Sequence, residues 1–363
     1  MPPSSVAPKG TVATPEHVPA ERALAFRNHG LLQEALRYDT TPVGLHYLLV
    51  HYDVPALDHD TWTLEVDGLV ERPLSISIDA IRRRPTVTQR VTFECAGNGR
   101  SMMLPRALSV PWGVDAVGTA EWTGTPLWPL LDEAGVAPDA VEVIFRGADA
   151  GVEKGVAQNY ERSLRLEEAR RDDVILAHTM NGQPLPPQHG SPLRLVVPGW
   201  YGMTNVKWLT HITAVDRPFN GFQHRAYTIR MDEHDPGVPV DRIKPRALLV
   251  PPGVPDFTTR ARYLTPGPVP LEGRAWSGFA PIDRVELTVD GGESWFDATL
   301  DDQPEPYAWV RWTGTWHAAP GAYQIGCRAT DRHGETQPLE PAWNIGGFAC
   351  QAVHYLDVTV SSE

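Results

Sequence analysis

A single cysteine in the stretch FECAGNGRS, residues 93–101, is the first place where this chain could do chemistry. VTF ahead of Cys95 has the character of a strand. AGNG behind it reads as a turn that brings backbone close to whatever the thiol faces. Small residues around the sulfur leave room for a bulky ligand, and Arg100 would favour the thiolate if it lies nearby. Three readings are open from this stretch. Cys95 is a catalytic nucleophile, which needs a histidine base that no local motif supplies; or a soft-metal ligand; or a buried structural cysteine.

Two further segments concentrate polar groups. In AFRNHG, residues 25–30, Arg27, Asn28 and His29 follow a helical pattern. A guanidinium, an amide and an imidazole together suit an anion, while Asn28 and Gly30 equally suit a helix C-terminus. In NGQPLPPQHGSPLRLVVPGWYGMTNVKWL, residues 181–209, His189, Arg194 and Lys207 sit in a frame rich in proline and glycine. Three cations converging from loops suit a phosphate, though the nucleotide-loop pattern G-x-x-x-x-G-K-[ST] is absent. The alternative is solvated surface charge.

These groups need elements to hold them. TWTLEVDGLV alternates and predicts a strand ending in a turn. SISIDAIRRR predicts a strand running into a helix with Asp79 as N-cap. PLWPLLDEAG predicts a helix opened by proline and closed by Gly135, and SPLRLVVPG a short buried strand. Residues 232–272 are proline-dense and read as a linker leading into a first edge strand. From about 273 the pattern is all-β. Val285, Leu287 and Val289 alternate with polar residues before an Asp290-Gly291 hairpin turn, and later runs repeat the period of two. Several short strands over about a hundred residues suggest an immunoglobulin-like sandwich.

The bulk numbers set limits. The chain has 363 residues, enough for two domains, with 42% hydrophobic and 21% charged residues. A formal net charge of −13 argues against a general nucleic-acid binder or an anionic-membrane binder and is compatible with docking a basic partner. No apolar run is long enough to span a bilayer, so no membrane span is expected. The N-terminal residues lack a signal-type apolar stretch, which predicts a cytoplasmic protein, or a periplasmic one if this is a mature exported chain. Three cysteines, without a C-x-x-C pair, predict neither a disulfide framework nor a zinc knuckle nor attached haem. Cys327 and Cys350 lie in strand-like contexts and read as buried apolar side chains.

Taken in order, FRNH, CAGN-x-R, MNGQPLP-x-x-HG-x-P-x-R-x-VVPG and VKWL, followed by AWSG, VDGG-x-SW and WN, resemble the sulfite oxidase family of molybdenum enzymes. Order and spacing agree from about residue 24 to about residue 360. The resemblance implies an α+β protein: a mixed α/β molybdopterin-binding domain, then an all-β immunoglobulin-like dimerisation domain and hence a homodimer. The expected division is an extended arm at 1–20, the catalytic domain at 21–235 and the second domain at 236–363, with 236–272 its linker and edge strand.

The resemblance also implies roles. Cys95 corresponds to the thiolate that ligates molybdenum. Arg27 and Arg100 correspond to arginines lining an oxyanion pocket, Tyr227 in FQHRAY to its tyrosine, and Trp112 to a tryptophan that walls it. Ala25, Phe26, Arg27, Asn28 and His29, Asp149 in FRGADAG, His189, Arg194, Asn205, Val206 and Lys207 correspond to contacts of the molybdenum-molybdopterin cofactor. The implied reaction is oxidation of sulfite to sulfate. With no haem expected in this chain, electrons would pass to an external carrier such as a basic cytochrome c, which an acidic surface would steer. The alternatives are a related oxoanion or sulfoxide oxidoreductase resembling nitrate reductase, from which Tyr227 differs, and a non-catalytic binding protein on the same scaffold. The resemblance breaks at two positions: Gly346 stands where the animal-type pattern has a pocket arginine, and Gly99 where it has another.

Overall fold

The structure, a computed structural model, describes residues 9–14 and 16–362. The first eight residues of the expected arm therefore lie outside the described residues. The rest of the arm is tied down. Thr11–Val12 pairs antiparallel with Arg106–Ala107, and the helix Pro19–Ala25 begins inside the expected arm. Arg106 is fully buried and forms an ion pair with buried Glu21.

Two five-stranded sheets build the first domain. One runs Gln183–Pro184, Ile175–Met180, Val117–Pro126, Val87–Glu94, with Arg194–Val196 also pairing onto Ile175–Met180. The other runs Leu74–Ser77, Thr63–Gly68, Leu209–Val215, Glu142–Glu153, Val156–Arg165. In Thr63–Gly68 the alternation read from sequence puts Leu64 and Val66 into the core and leaves Thr63 outside. That core continues through Ile81, Leu127, Phe145, Leu176, Leu195 and Ile212.

Local punctuation mostly follows the sequence. Leu127–Ala134 is helical, and Gly135 ends it at φ +70°. In SISIDAIRRR the N-cap is Ser77, not Asp79: its hydroxyl accepts from Ala80 N at 3.3 Å, and Asp79 falls inside the first turn. A helix opens at the residue whose side-chain oxygen can accept from the free N–H groups of the first turn, and the serine stands two residues nearer the strand.

The second domain is a sandwich of a four-stranded and a six-stranded sheet. Trp312, Val285, Leu287, Ile325, Cys327 and Val358 fill its interior. Part of the expected linker belongs to this sandwich. Arg246–Leu249 is a buried edge strand, and Gly267–Trp276 is an internal strand paired over nine positions with Val310–Ala318. Proline density masked it, because Pro268 and Pro270 occupy exposed positions while Val269 and Leu271 alternate inward. The turn at Asp290-Gly291 is longer than a two-residue hairpin, since the strands pair only from Leu287 to Phe296. Cys350 is buried in a loop rather than a strand.

The domains meet behind the cysteine. Val87–Glu94 is the outer strand of its sheet, and its open edge takes the second domain: Thr92 N donates to Tyr307 O at 2.8 Å, and Trp309 N to Thr92 Oγ1 at 2.8 Å. At its end, buried Glu94 accepts from Trp276 Nε1 at 2.8 Å and Asn98 Nδ2 at 2.9 Å. Arg246 Nε faces the same carboxylate at 3.0 Å, without the alignment of a hydrogen bond. Both members of this pair are 1% exposed. Removing one partner of a buried pair costs about 3–5 kcal/mol because the other charge is left unmatched. Arg246→Met is therefore expected to shift the urea unfolding midpoint strongly downward. A shift no larger than that of an exposed Arg→Met control would show that the pair does not hold the domains.

Candidate active site

The cavity beside Cys95 has a volume of about 690 Å³, its open mouth included. Its walls come from distant parts of the chain: 46–51, the end of the strand before Cys95, Asp149, Tyr160, and residues between His189 and Tyr227. Local backbone explains how each side chain arrives. Cys95 N donates to Ala116 O at 2.9 Å, and Asn98 N closes the turn on Cys95 O at 2.9 Å. Gly99 is at φ +87°, and a Cβ there would lie 2.6 Å from Cys350 O, so the turn needs glycine. Asp149 sits in an irregularity of the long strand, where pairing with Val156–Arg165 shifts between Arg146 and Ala150. His189 ends a short 3-10 turn closed by Gly190 at φ +106°.

One end of the cavity gathers basic side chains. Arg194, 4% exposed, donates to His189 O at 3.0 Å and Asn205 O at 3.1 Å, with its guanidinium carbon 4.7 Å from the Trp122 ring. Lys207 Nζ donates to Leu49 O at 2.8 Å and Gln188 O at 3.1 Å. His46 stands edge-on to His189 with centroids 5.6 Å apart. Burial, reinforced by neighbouring positive groups, pushes these groups toward neutrality. His189 falls to about 2, His46 to about 4 and Lys207 to about 7. Nearby Asp149 is raised by burial to about 6, against the pull of Lys207. His46 Nε2 and Arg194 Nε are buried without partners. Such a cluster suits an anion.

At the other end, Cys95 is 7% exposed and its thiol is raised by burial, opposed by Arg100. Trp112 is buried, its indole N–H unbonded but close enough to the sulfur to favour the charged form. Tyr227 is raised by burial and by the Cys95 charge, so its hydroxyl stays protonated.

The same architecture has known relatives. Residues 51–223 match the oxidoreductase molybdopterin binding domain, and residues 257–361 the Mo-co oxidoreductase dimerisation domain. The sulfane dehydrogenase SoxCD from Paracoccus pantotrophus superposes with a TM-score of 0.77 at 28% identity, covering 91% of this chain and 85% of that one. The chain belongs to the sulfite oxidase family. It is a molybdenum-cofactor oxidoreductase with an α+β fold. NADH nitrate reductases of Solanum lycopersicum and Glycine max are each 32% identical over 85% of this chain. The chain spans 37% and 38% of those proteins' lengths.

For a family member, the residues present fit the cofactor. The cation cluster and its two unpartnered nitrogens suit a phosphate, and a free thiol at the far end suits the metal. Among the described residues, no three His, Cys, Asp or Glu side chains gather into a site of their own. The metal's remaining donors would come from the pterin.

Of the residues expected from sequence, Cys95, Asp149, His189, Arg194, Asn205, Lys207 and Tyr227 line the cavity. Arg100 and Trp112 lie close behind Cys95, outside the lining. Val206 packs into the first core. The 25–29 segment lies alongside rather than inside. Asn28 is bound through its side chain to Leu24 O and Val50 N, both at 2.8 Å, and the His29 backbone bridges Leu48. Arg27 and His29 are exposed, Ala25 is half-buried, and Phe26 is 89% exposed. Asn28 thus serves as a helix cap and as a clasp on the cavity wall 48–50. Sequence reading missed His46, Tyr47, His51 and Tyr160. The only signal was HYLLVHY, an apolar run flanked by His-Tyr pairs.

The depressed Lys207 gives a test. In the cofactor-free protein its value of about 7 lies below the ordinary 10.5, so the unfolded chain binds the proton first. This contribution to stability falls as pH drops from about 10.5 to about 7 and is level below that. An anion in the cluster favours the charged form and takes up a proton on binding. Sulfate, a dianion throughout this range, should raise the Tm of cofactor-free protein more near pH ~6 than near pH ~9. Lys207→Met should remove most of that shift. A sulfate effect independent of pH and of Lys207 would count against an anion seat here.

Proposed function

We propose that this chain transfers oxygen to a sulfur oxoanion bearing a free lone pair, sulfite being the smallest case, and passes the electrons one at a time to an external carrier. The observation that carries this reading is one continuous cavity lined by a buried free thiol and by the basic side chains of His189, Arg194 and Lys207, with Tyr227 and Arg100 beside the thiol. Bound there, molybdenum-molybdopterin supplies the oxygen-transfer and electron-storing chemistry.

Cys95 would ligate the metal as thiolate; its raised apo value means that binding must displace a proton. His189, Arg194 and Lys207 would seat the phosphate, with His46 and Asp149 beside them. Asn205 holds that wall in shape, its Oδ1 accepting from Val197 N at 2.7 Å. Tyr227 would donate its hydroxyl proton to a substrate oxygen, and Arg100 would supply positive charge close to the sulfur. Both act in a largely dry pocket, where charge-assisted hydrogen bonds are strongest. Arg27, exposed beside the cavity wall, would act on the approach of the anion rather than at the sulfur. The net charge of −13 repels free sulfite at long range but favours a basic carrier such as a cytochrome c. The dimerisation domain supports a homodimer, which light scattering at micromolar concentration would register as twice the 40.1 kDa chain mass.

The deciding assay is steady-state turnover of sulfite with ferricyanide by fully molybdenum-loaded protein. Cys95→Ser is expected to lower kcat by more than about 100-fold, beyond the loss of an outer-shell partner. Full loading without turnover of any sulfur oxoanion would end the reading. A second reading, nitrate reduction, is supported by the identity to the plant enzymes. It predicts that nitrate reoxidises the reduced protein faster than ferricyanide-linked sulfite turnover proceeds.

A further inference from the structure

Residues 344–350 pack against the cysteine turn and Tyr227, just outside the cavity lining, and they bring an aromatic ring where an oxyanion would call for charge. Asn344 fixes the loop, accepting from Phe348 N at 3.0 Å and donating to Phe348 O at 2.8 Å. Two bonds pin it to the cysteine turn: Ala349 N donates to Ala96 O at 2.8 Å, and Arg100 Nε to Gly346 O at 3.3 Å. The Phe348 ring is thereby held 5.4 Å from the Arg100 guanidinium carbon and 5.2 Å from the Tyr227 ring. It remains partly exposed.

Neither glycine of the loop can take a side chain as built. A Cβ at position 347 would lie 2.7 Å from Arg100 Cγ at a φ of +61°, and one at 346 would lie 2.5 Å from the Phe348 ring. Arg100 is itself partly committed, since Nη1 donates to Val110 O at 2.9 Å while Nε holds Gly346 O. Its Nε and one Nη1 hydrogen are taken, which leaves the second Nη1 hydrogen and both on Nη2 for an anion. What the site offers is one partly committed charge, one hydroxyl and an apolar face.

We propose that the preferred substrate is an organic sulfinate, R–SO₂⁻, with a compact apolar or aryl R group resting on Phe348, rather than sulfite itself. This rests on the oxygen-transfer reading above and names its substrate class. Exchanging one oxygen of sulfite for carbon leaves a monoanion that a single guanidinium can balance. It keeps the sulfur lone pair and places R against the ring, where each buried CH₂ adds a factor of about four in binding. The reaction balances as R–SO₂⁻ + H₂O → R–SO₃⁻ + 2 H⁺ + 2 e⁻. One S–O bond forms at the lone pair, both O–H bonds of water break, the protons leave to solvent, and the electrons reduce two equivalents of a one-electron acceptor. Phe348 is the specificity-determining residue.

The experiment compares sulfite, methanesulfinate and benzenesulfinate with ferricyanide and molybdenum-loaded enzyme. It also measures binding of sulfate, methanesulfonate and benzenesulfonate to the same protein by calorimetry. A sulfinate should exceed sulfite in kcat/KM by about tenfold, and Phe348→Ala should lower the sulfinate-to-sulfite ratio by about tenfold. Phe348→Leu keeps an apolar side chain and should recover part of that ratio. Sulfite preferred by the wild type, or a ratio unmoved by Phe348→Ala, overturns the inference while leaving oxygen transfer intact. If no sulfur compound turns over, oxygen transfer fails and calorimetry decides the pocket. Tighter, Phe348-dependent binding of a sulfonate than of sulfate upholds the preference for an organic monoanion, and tighter sulfate overturns it.

Discussion

Everything around the thiol hangs on the carboxylate of Glu94. It is buried, and a buried charge is tolerated only when it is fully partnered. Its partners come from two domains: Asn98 from its own turn, Trp276 and Arg246 from the sandwich. Glu94 and Cys95 are neighbours at the end of one strand and face opposite ways, the acid into the domain interface and the thiol into the cavity. Arg246 also binds the Cys350 carbonyl, against which Gly99 is packed. One carboxylate therefore fixes the strand end, the cysteine turn and the loop that closes over Arg100. Loosening it would displace all three together, because they share a single desolvated charge.

Strands with strict alternation, such as Thr63–Gly68, were legible because period two survives without any knowledge of partners. What pairs with them was not: Leu209–Val215 joins Thr63–Gly68 in parallel across more than a hundred residues of chain, and nothing local encodes that. The internal strand Gly267–Trp276 was hidden by its prolines, which lower strand propensity yet fall where they disturb nothing. The site shows the same division. Cys95, His189, Arg194 and Lys207 stand in stretches whose residue types are unusual enough to be noticed. His46 and Tyr160 stand in ordinary ones and become cavity walls only through the fold. Arg27 was legible as a residue type, but its exposure depends on how Asn28 clasps the 48–50 wall, which no motif states.

A chain of net charge −13 gathers the basic side chains of His189, Arg194 and Lys207 in one cavity. The two facts are compatible because they act over different distances. Surface charge is screened beyond about 8–10 Å in physiological salt, so it shapes encounters, while the buried groups act on whatever has already entered. Inside the cavity burial depresses Lys207 and the histidines, their positive neighbours adding to it, and an anion beside Lys207 would favour its charged form. On the proposed reading, the cost of burying these groups is relieved when an anion binds, so folding energy and cofactor binding are coupled through the same side chains.

The two ends of the cavity draw on different parts of the chain. The basic groups of the cavity come from residues 46–207, all in the first domain. Beside Tyr227 stands the 344–350 loop, which the second domain supplies and Asn344 shapes. A loop held by two backbone bonds can change its side chains without touching the cation cluster. A fold of this kind can keep one cofactor seat while exchanging what stands opposite it. That separation accounts for how one scaffold is shared by proteins named for nitrate reduction and for sulfane dehydrogenation. Under the proposed function the cofactor seat is the shared task, and the residues that stand opposite it choose the substrate.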